Sequence, residues 1–427
     1  MNAHSASSAE NEIPIFINPA LQTTNFLSSE ELRPKRPNKP CAKLMSNVFA
    51  NHRKKRKGLI FMRFLMIISV TLTMLIVHGC STNTEESESY QPVALNDGWP
   101  ISTPEEQGLD SRKLDEIYED AQRFDHIYSL IIVRNGFLIA EKYFNGQGIF
   151  DAHSTASVTK SITSALTGIA LRENHLTGLD QKMMEFFPEI DWQTLDPRKS
   201  DITIQQILQM RSGYPWEEFD GYLATLFSSS NWIPFIEQFP LMNDPGTEFG
   251  YSNFTAHMMG IIVARAANTS LRSFCQTYLF DHLGVTTPYW PVDSLGYYYG
   301  SGDVYLTPRN MAKFGQLFLD NGVFGTVQII PSEWVSESLQ IFSPSTYPGE
   351  ILTNIHQLGY GYMWWSGVSG NHQYNFAWGH GGQLIMVIQD LNMVIVTSAA
   401  PQSIFDNAAW QKEKAIMELV GEFISRI

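Results

Sequence analysis

The sequence predicts a mixed α/β (α+β) fold, with one antiparallel sheet built from both chain ends, flanked by helices, and a mostly helical segment inserted between them. Three observations lead there. Short β-rich runs occur at residues 127–143 and return at 359–398, helical spacing fills much of the interval, and the first 79 residues differ in composition from the rest. Sheet strands at both ends with helices between them must share one core, because each strand pair has a face to bury.

Ser111–Phe124 has helical spacing, with Leu114, Ile117, Tyr118 and Ala121 on one face. Ile127–Val133 and Phe137–Tyr143 are apolar, β-rich runs separated by Arg134-Asn135-Gly136. Asn-Gly at such a joint predicts a tight hairpin, since both residues tolerate positive φ. A long helix is expected from Ser157 to Glu173, followed by a helical and loop-rich stretch over about 185–300. Strands are then expected at Gly359–Trp365, Gln373–Trp378, Leu384–Gln389 and Met393–Ser398, and a final helix at Ile404–Ile424. Cys275 falls in a helical stretch, Leu271–Phe280, and reads as a small buried residue.

Charge separates the chain in two. Residues 1–79 hold 11 Lys and Arg against 4 Asp and Glu, whereas the remaining 348 hold 18 against 39. An acidic body without a basic stripe argues against nucleic-acid binding, which needs clustered cations to neutralise phosphates. With 44% apolar and only 17% charged residues the chain is too hydrophobic to stay disordered.

The basic run Arg53-Lys54-Lys55-Arg56-Lys57 precedes an uncharged apolar segment, Phe64–Val77. Its 14 residues are short for a membrane span of about 20 and suit the apolar part of an export signal. Val77-His78-Gly79-Cys80 resembles a lipobox, which implies lipid attachment at Cys80. The expected organisation is an N-terminal extension at 1–61 (Met45 and Met62 being more natural starts), a signal at 62–79, a polar tether at 80–98 and a catalytic domain at 99–427, exported and membrane-anchored. An uncleaved anchor with a cytoplasmic basic tail is the alternative. No Cys or His spacing suits zinc, and no cofactor is expected.

Three motifs carry chemistry. In Ser157-Val158-Thr159-Lys160 the three-residue spacing puts Ser and Lys on one helix face, where a desolvated Lys can take the Ser proton. The small, apolar residues that follow, Ser161–Ala170, predict a helix buried on most sides. In Tyr251-Ser252-Asn253 a loop Tyr beside Lys⁺ is expected to have a lowered pKa and serve as a general base. In His380-Gly381-Gly382, just ahead of a strand, the glycines predict close approach to the backbone, with a neighbouring N–H available as an oxyanion donor.

Taken alone, each motif is weak. Their order and spacing, Y-S-N 94 residues after S-x-x-K and H-G-G 129 residues further on, resemble the serine β-lactamase and penicillin-binding protein superfamily. Tyr in the second motif resembles the class C branch, which includes esterases and 6-aminohexanoate-dimer hydrolases. Ile202–Gly213, Tyr305–Gly315 and Tyr360–Trp365 resemble that branch as well, so the likeness spans about 99–427. It implies a β-lactamase/transpeptidase-like fold, Ser157 as the acylated nucleophile, Lys160 as its proton partner and Tyr251 as general base. It also implies Asn253 on Lys160 and on a substrate amide or carbonyl, with the N–H groups of Ser157 and Gln383 as the oxyanion hole and His380, Gly382 and Gln383 against substrate.

The third motif departs from the K-T-G of β-lactamases and carboxypeptidases. A mostly neutral His380 and a Gly381 without hydroxyl are expected to hold a substrate carboxylate weakly. That favours an esterase or amidase over a D-Ala-D-Ala carboxypeptidase or β-lactamase. Aromatics about the cleft (Tyr214, Trp216, Tyr222, Trp232, Tyr289, Trp290, Tyr297, Tyr298, Tyr299) fit an apolar acyl or aryl group, with two or three of them reaching substrate. A non-catalytic sensor is disfavoured by the complete Ser157, Lys160, Tyr251 set, and a lipase-type fold by the absence of G-x-S-x-G. Oligomeric state is not set by any of these features.

Overall fold

The computed structural model describes residues 90–344, 346 and 351–427. The readings for the N-terminal extension, the signal and Cys80 lie outside the described residues.

Helix α1 spans Ser111–Ala121; Asp110 caps it by accepting from the Arg112 N–H, and its buried residues are the four expected, Leu114, Ile117, Tyr118 and Ala121. Strands β1 (Ile127–Arg134) and β2 (Phe137–Tyr143) form the hairpin, with Asn135 and Gly136 both at positive φ. A two-residue strand β3 (His153–Ser154) leads into α2 (Val158–Arg172), which is buried from Val158 through Ala170. Burial on most sides is what places a lysine of this helix in the interior.

Between α2 and β4 (Tyr305–Leu306) the chain is helical and looped, with α3 (Asn253–Ala266) the longest element there. Cys275 ends a short helix, Leu271–Cys275, and is fully buried; burial raises its thiol pKa well above the usual value. Helix α4 (Pro308–Leu319), a small hairpin of β5 (Val323–Phe324) and β6 (Val327–Gln328) and a short helix at Ser332–Ser338 follow.

The remaining strands are β7 (Ser343–Pro344), β8 (His356–Tyr360), β9 (Trp365–Ser369), β10 (His372–Gly379), β11 (Gln383–Ile388) and β12 (Met393–Ala399), ahead of α5 (Asn407–Ser425). They join β1 and β2 in one eight-stranded sheet, ordered β2-β1-β12-β11-β10-β9-β8-β7, with antiparallel pairings throughout. The N-terminal hairpin is therefore completed by the C-terminal strands, as both-end sheet construction requires. Every residue of β11 and β12 is buried, so both faces of the sheet centre are covered. Helix α4 lies across β1, β11 and β12, α2 packs on β10 and β11, and α5 packs on β9 and α1.

Two readings are corrected. Gly359–Trp365 is not one strand: β8 ends at Tyr360, and Gly361–Trp364 turns into β9, with Met363 at φ +58°. That turn is buried, its Met363 N–H donating to the Leu208 carbonyl and its Met363 carbonyl accepting from Ser161 Oγ. A turn satisfied by neighbouring elements needs no polar residues, so its sequence reads as strand. Residues 90–98, placed in the tether, run along the domain instead. Tyr90 stacks on Tyr118 at 5.0 Å, and buried Arg309 binds Asp97 at 2.7 Å, the Val93 carbonyl at 2.7 Å and Glu141.

Candidate active site

Ser157 stands at the N-terminus of α2, directly after Ala156, whose φ of +46° is rare for a residue with a side chain. The conformation is held from both sides. The Ala156 N–H donates to Ser154 Oγ at 3.0 Å, and the Ala156 carbonyl accepts from Thr159 Oγ1 at 2.8 Å and from the Asp303 N–H at 3.2 Å.

One turn on, Lys160 is 1% exposed. Its Nζ contacts Ser157 Oγ at 2.9 Å, Asn253 Oδ1 at 2.8 Å and the Ser301 carbonyl at 2.8 Å. Burial pulls its pKa down to about 8, against the raising fields of Glu218, Glu217 and Asp303. The last two partners can only accept. A neutral amine has two N–H donors and one lone pair, so those acceptors take both donors and leave the lone pair for the Ser157 hydroxyl. The first two motifs thus meet as the resemblance implies.

Tyr251 hydrogen-bonds Ser157 and lies with its ring 4.8 Å from Lys160 Nζ. Trp365 stacks on that ring at 5.5 Å and Tyr360 meets it edge-on at 6.0 Å. The expected lowering of its pKa is overturned. Burial first, then the negative fields of Glu218, Glu217 and Glu413, raise it well above the ordinary phenol range, despite the Ser157 hydrogen bond. Those carboxylates were not expected at the site.

Glu217 fixes the second motif. It is fully buried and accepts from Ser252 Oγ at 2.8 Å, the Asn253 N–H at 2.9 Å and the Phe254 N–H at 3.0 Å. A carboxylate here satisfies the free N–H groups that open α3 and sits at the positive end of its dipole. Burial still raises its pKa to about 7. Ser252 completes the cap by accepting from the Thr255 N–H at 3.1 Å.

His380-Gly381-Gly382 forms the turn between β10 and β11, rather than a strand entry, and Gln383 opens β11. Its glycines answer to the chain's own packing. A Cβ on Gly379 would lie 2.3 Å from the Thr155 carbonyl, and one on Gly382, at φ +97°, would lie 2.6 Å from Ile416 Cδ1. The Gly379 contact brings the turn against the loop that carries Ser157. Gln383 turns its side chain to β12, donating to the Ala399 carbonyl at 2.9 Å and accepting from the Ala399 N–H at 3.0 Å.

His380 was expected to keep an ordinary imidazole pKa, and its surroundings shift that pKa upward. Its Nδ1 pairs with Glu413 at 2.8 Å. Burial pushes the imidazole pKa down, but the hydrogen bond and charge of Glu413 together push it further up, so the net shift is upward. Glu413 also accepts from Trp378 Nε1 at 2.5 Å and the Gly381 N–H at 2.7 Å, locking the turn. Glu413 comes from α5, more than thirty positions further along the sequence, so the local motif gives no signal for it.

Of the aromatics expected near the cleft, Tyr214, Trp232 and Trp290 are core residues. Trp216 reaches Tyr251, at 6.4 Å between rings. Sequence reasoning missed Glu217, Glu218, Glu413, the Ser301 carbonyl, Tyr360 and Trp365. None has a short-range motif, although the adjacent acidic pair at 217–218 beside Trp216 is a visible oddity.

Comparison with known proteins agrees with this fold. A family model described as beta-lactamase matches residues 129–403. The 6-aminohexanoate-dimer hydrolase of Paenarthrobacter ureafaciens is 25% identical over 263 residues, covering 58% of this chain and 65% of that protein. The chain therefore spans a little under two thirds of that relative's length. Among solved structures, simvastatin synthase (LovD) of Aspergillus terreus superposes with a TM-score of 0.57 at 14% identity, over 75% of this chain and 99% of that one. The octameric penicillin-binding protein homologue of Pyrococcus abyssi gives 0.55 at 18% identity, over 73% and 77%. At such identities the structures share the fold.

Proposed function

The chain belongs to the beta-lactamase family, and we propose that it is a serine hydrolase cleaving ester or amide bonds through an acyl group held on Ser157. The observation that carries the reading is Lys160 Nζ at 2.9 Å from Ser157 Oγ, with its other two contacts, at 2.8 Å, to groups that can only accept.

In this reading neutral Lys160 takes the Ser157 proton as Oγ attacks the substrate carbonyl. The C–O or C–N bond to the leaving group then breaks, and the proton passes from Lys160 through the Tyr251 hydroxyl to that group. Water enters and its oxygen attacks the acyl carbon as its proton passes back through Tyr251 to Lys160; the bond to Ser157 Oγ then breaks, Lys160 returns the proton to Oγ, and the acid is released. Tyr251 works as a neutral relay, because its raised pKa disfavours a resting phenolate. The N–H groups of Ser157 and Gln383 are the proposed oxyanion donors, each worth about 3 kcal/mol.

A second reading, carboxypeptidase or β-lactamase, is favoured by one observation: the His380 pKa is shifted upward, toward the positive charge that the K-T-G lysine carries at that position. Glu413 at 2.8 Å offsets that charge, so the ester or amide reading stays first. Hydrolysis of a short-chain p-nitrophenyl ester and of a chromogenic cephalosporin in one buffer separates the two. Ester turnover with little cephalosporin turnover is the expected result, and the reverse order would put the β-lactamase reading first.

Export and a lipid anchor at Cys80 form part of the proposal and rest on the sequence alone. In a bacterial host, labelled palmitate is expected in the wild-type chain and membrane fraction. Cys80→Ala should lose the label and leave the membrane; a labelled variant would remove Cys80 as the attachment point.

A further inference from the structure

His257 lies on α3, the helix opened by the second motif, and takes no part in the steps above. It is fully buried, in a helix whose residues are buried from Asn253 through Ala264. Both ring nitrogens are engaged. Nδ1 accepts from the Gly300 N–H at 3.4 Å, so the proton of the neutral imidazole sits on Nε2, which donates to Asp293 Oδ2 at 3.3 Å. Burial favours that neutral form, against the raising effect of Asp293. Asp293 is buried too, and its Oδ1 accepts from the Leu295 and Tyr297 N–H groups, both at 2.9 Å. The carboxylate therefore fixes the tautomer and ties the imidazole to the loop that leads into Gly300.

Gly300 is where that loop meets the helix of the first motif. Its carbonyl accepts from Thr163 Oγ1 of α2 at 2.7 Å, and the next carbonyl, of Ser301, accepts from Lys160 Nζ at 2.8 Å. The fit against α3 is close: a Cβ on Gly300 would lie 2.8 Å from the Ala256 carbonyl and from Gly260 Cα. Three polar groups of two adjacent residues are thus held by His257, Thr163 and Lys160. Gly300 has no side chain to restrict its backbone, so its orientation is left to these bonds.

We propose that His257, oriented by Asp293, is a positioning residue: it holds the Gly300–Ser301 backbone so that the Ser301 carbonyl takes one N–H of Lys160 and the amine lone pair stays on Ser157. The proposal rests on the hydrolase reading of the same site.

The hold has a signed consequence. An acceptor on Nζ favours the ammonium form, as do the charges that face Lys160, those of Glu217 and Glu218 and that of Asp303 on the held segment. Releasing the segment withdraws the Ser301 acceptor, and any retreat of Asp303 acts in the same direction, so the Lys160 pKa falls. The freed amine can also turn an N–H toward Ser157, which lowers the rate.

Two variants test this. His257→Phe removes both bonds and keeps a ring in the core. Asp293→Asn keeps the carboxylate shape: its oxygen stays on the Leu295 and Tyr297 N–H groups and its amide N–H faces Nε2, which sends the imidazole proton to Nδ1, against the Gly300 N–H. In each, the limb of kcat/KM for the p-nitrophenyl ester should move about one pH unit below the wild-type value of about 8, and the plateau should fall about 10-fold. A fall in the plateau with the limb unmoved would give the pair a role in stability alone and overturn the proposal. Titration of isotope-labelled Lys160 by NMR, its signal identified by loss in Lys160→Met, reads the same shift without turnover. A downward shift in both variants supports the proposed hold even where no ester is hydrolysed, an outcome that would end the hydrolase reading instead. Ser157-dependent ester turnover with an unshifted Lys160 would end the proposal and leave the hydrolase reading standing. In the wild-type chain, nitrogen NMR of His257 should show the neutral Nε2–H tautomer. The Nδ1–H tautomer there would overturn the proposal whether or not the variants fold.

Discussion

Ser157→Ala is expected to lower kcat/KM for the p-nitrophenyl ester by about four to six orders of magnitude, leaving only what binding and oxyanion donors supply. The fold should be unaffected. The Ser157 hydroxyl caps nothing at the start of α2, and Lys160 keeps its two acceptors at 2.8 Å when that hydroxyl is removed. The loss is two hydrogen bonds, to Lys160 and Tyr251, each worth about 1 kcal/mol, so the circular-dichroism melting temperature should move by no more than about 6 °C. Ester turnover within about tenfold of wild type would place the nucleophile elsewhere.

The pH dependence of kcat/KM should rise about tenfold per unit up to a pKa of about 8 and then level off, because the active form carries Lys160 as the free amine. The sign follows from the direction of the shift: burial lowers the pKa, and raising the pH through it fills the form whose lone pair faces Ser157. If a Tyr251 phenolate were the base, the limb would lie above pH 10, since burial and three carboxylates raise that phenol's pKa. A profile still climbing there would reverse the two roles. Lys160→Ala should cost about 10²- to 10⁴-fold and abolish the limb. It also strips the donor from two buried acceptors, Asn253 Oδ1 and the Ser301 carbonyl. That costs stability of about 2–4 kcal/mol, so the wild-type profile is the cleaner measurement.

Elements with regular periodicity and local end signals were readable from the chain. α1 shows its four buried residues at helical spacing, and the β1–β2 hairpin shows Asn135-Gly136 at its turn. The turn at Gly361–Trp364 was not readable, because elements far away in sequence satisfy its backbone: the Leu208 carbonyl and Ser161 Oγ. The glycines of the third motif announced a close approach correctly, but what approaches Gly379 is the Thr155 carbonyl.

The sequence by itself determined the fold class and the identity and order of Ser157, Lys160, Tyr251 and Asn253, since spacing along a helix and composition around a turn are local properties. The tertiary structure alone decided their charge states. A pKa is set by burial and by whichever charges folding brings near, and here those are Glu217, Glu218 and Glu413, from segments that the motifs do not include. Burial and these carboxylates raise the Tyr251 pKa, Glu413 and Glu218 shift that of His380 upward, and burial of α2 lowers that of Lys160 to about 8.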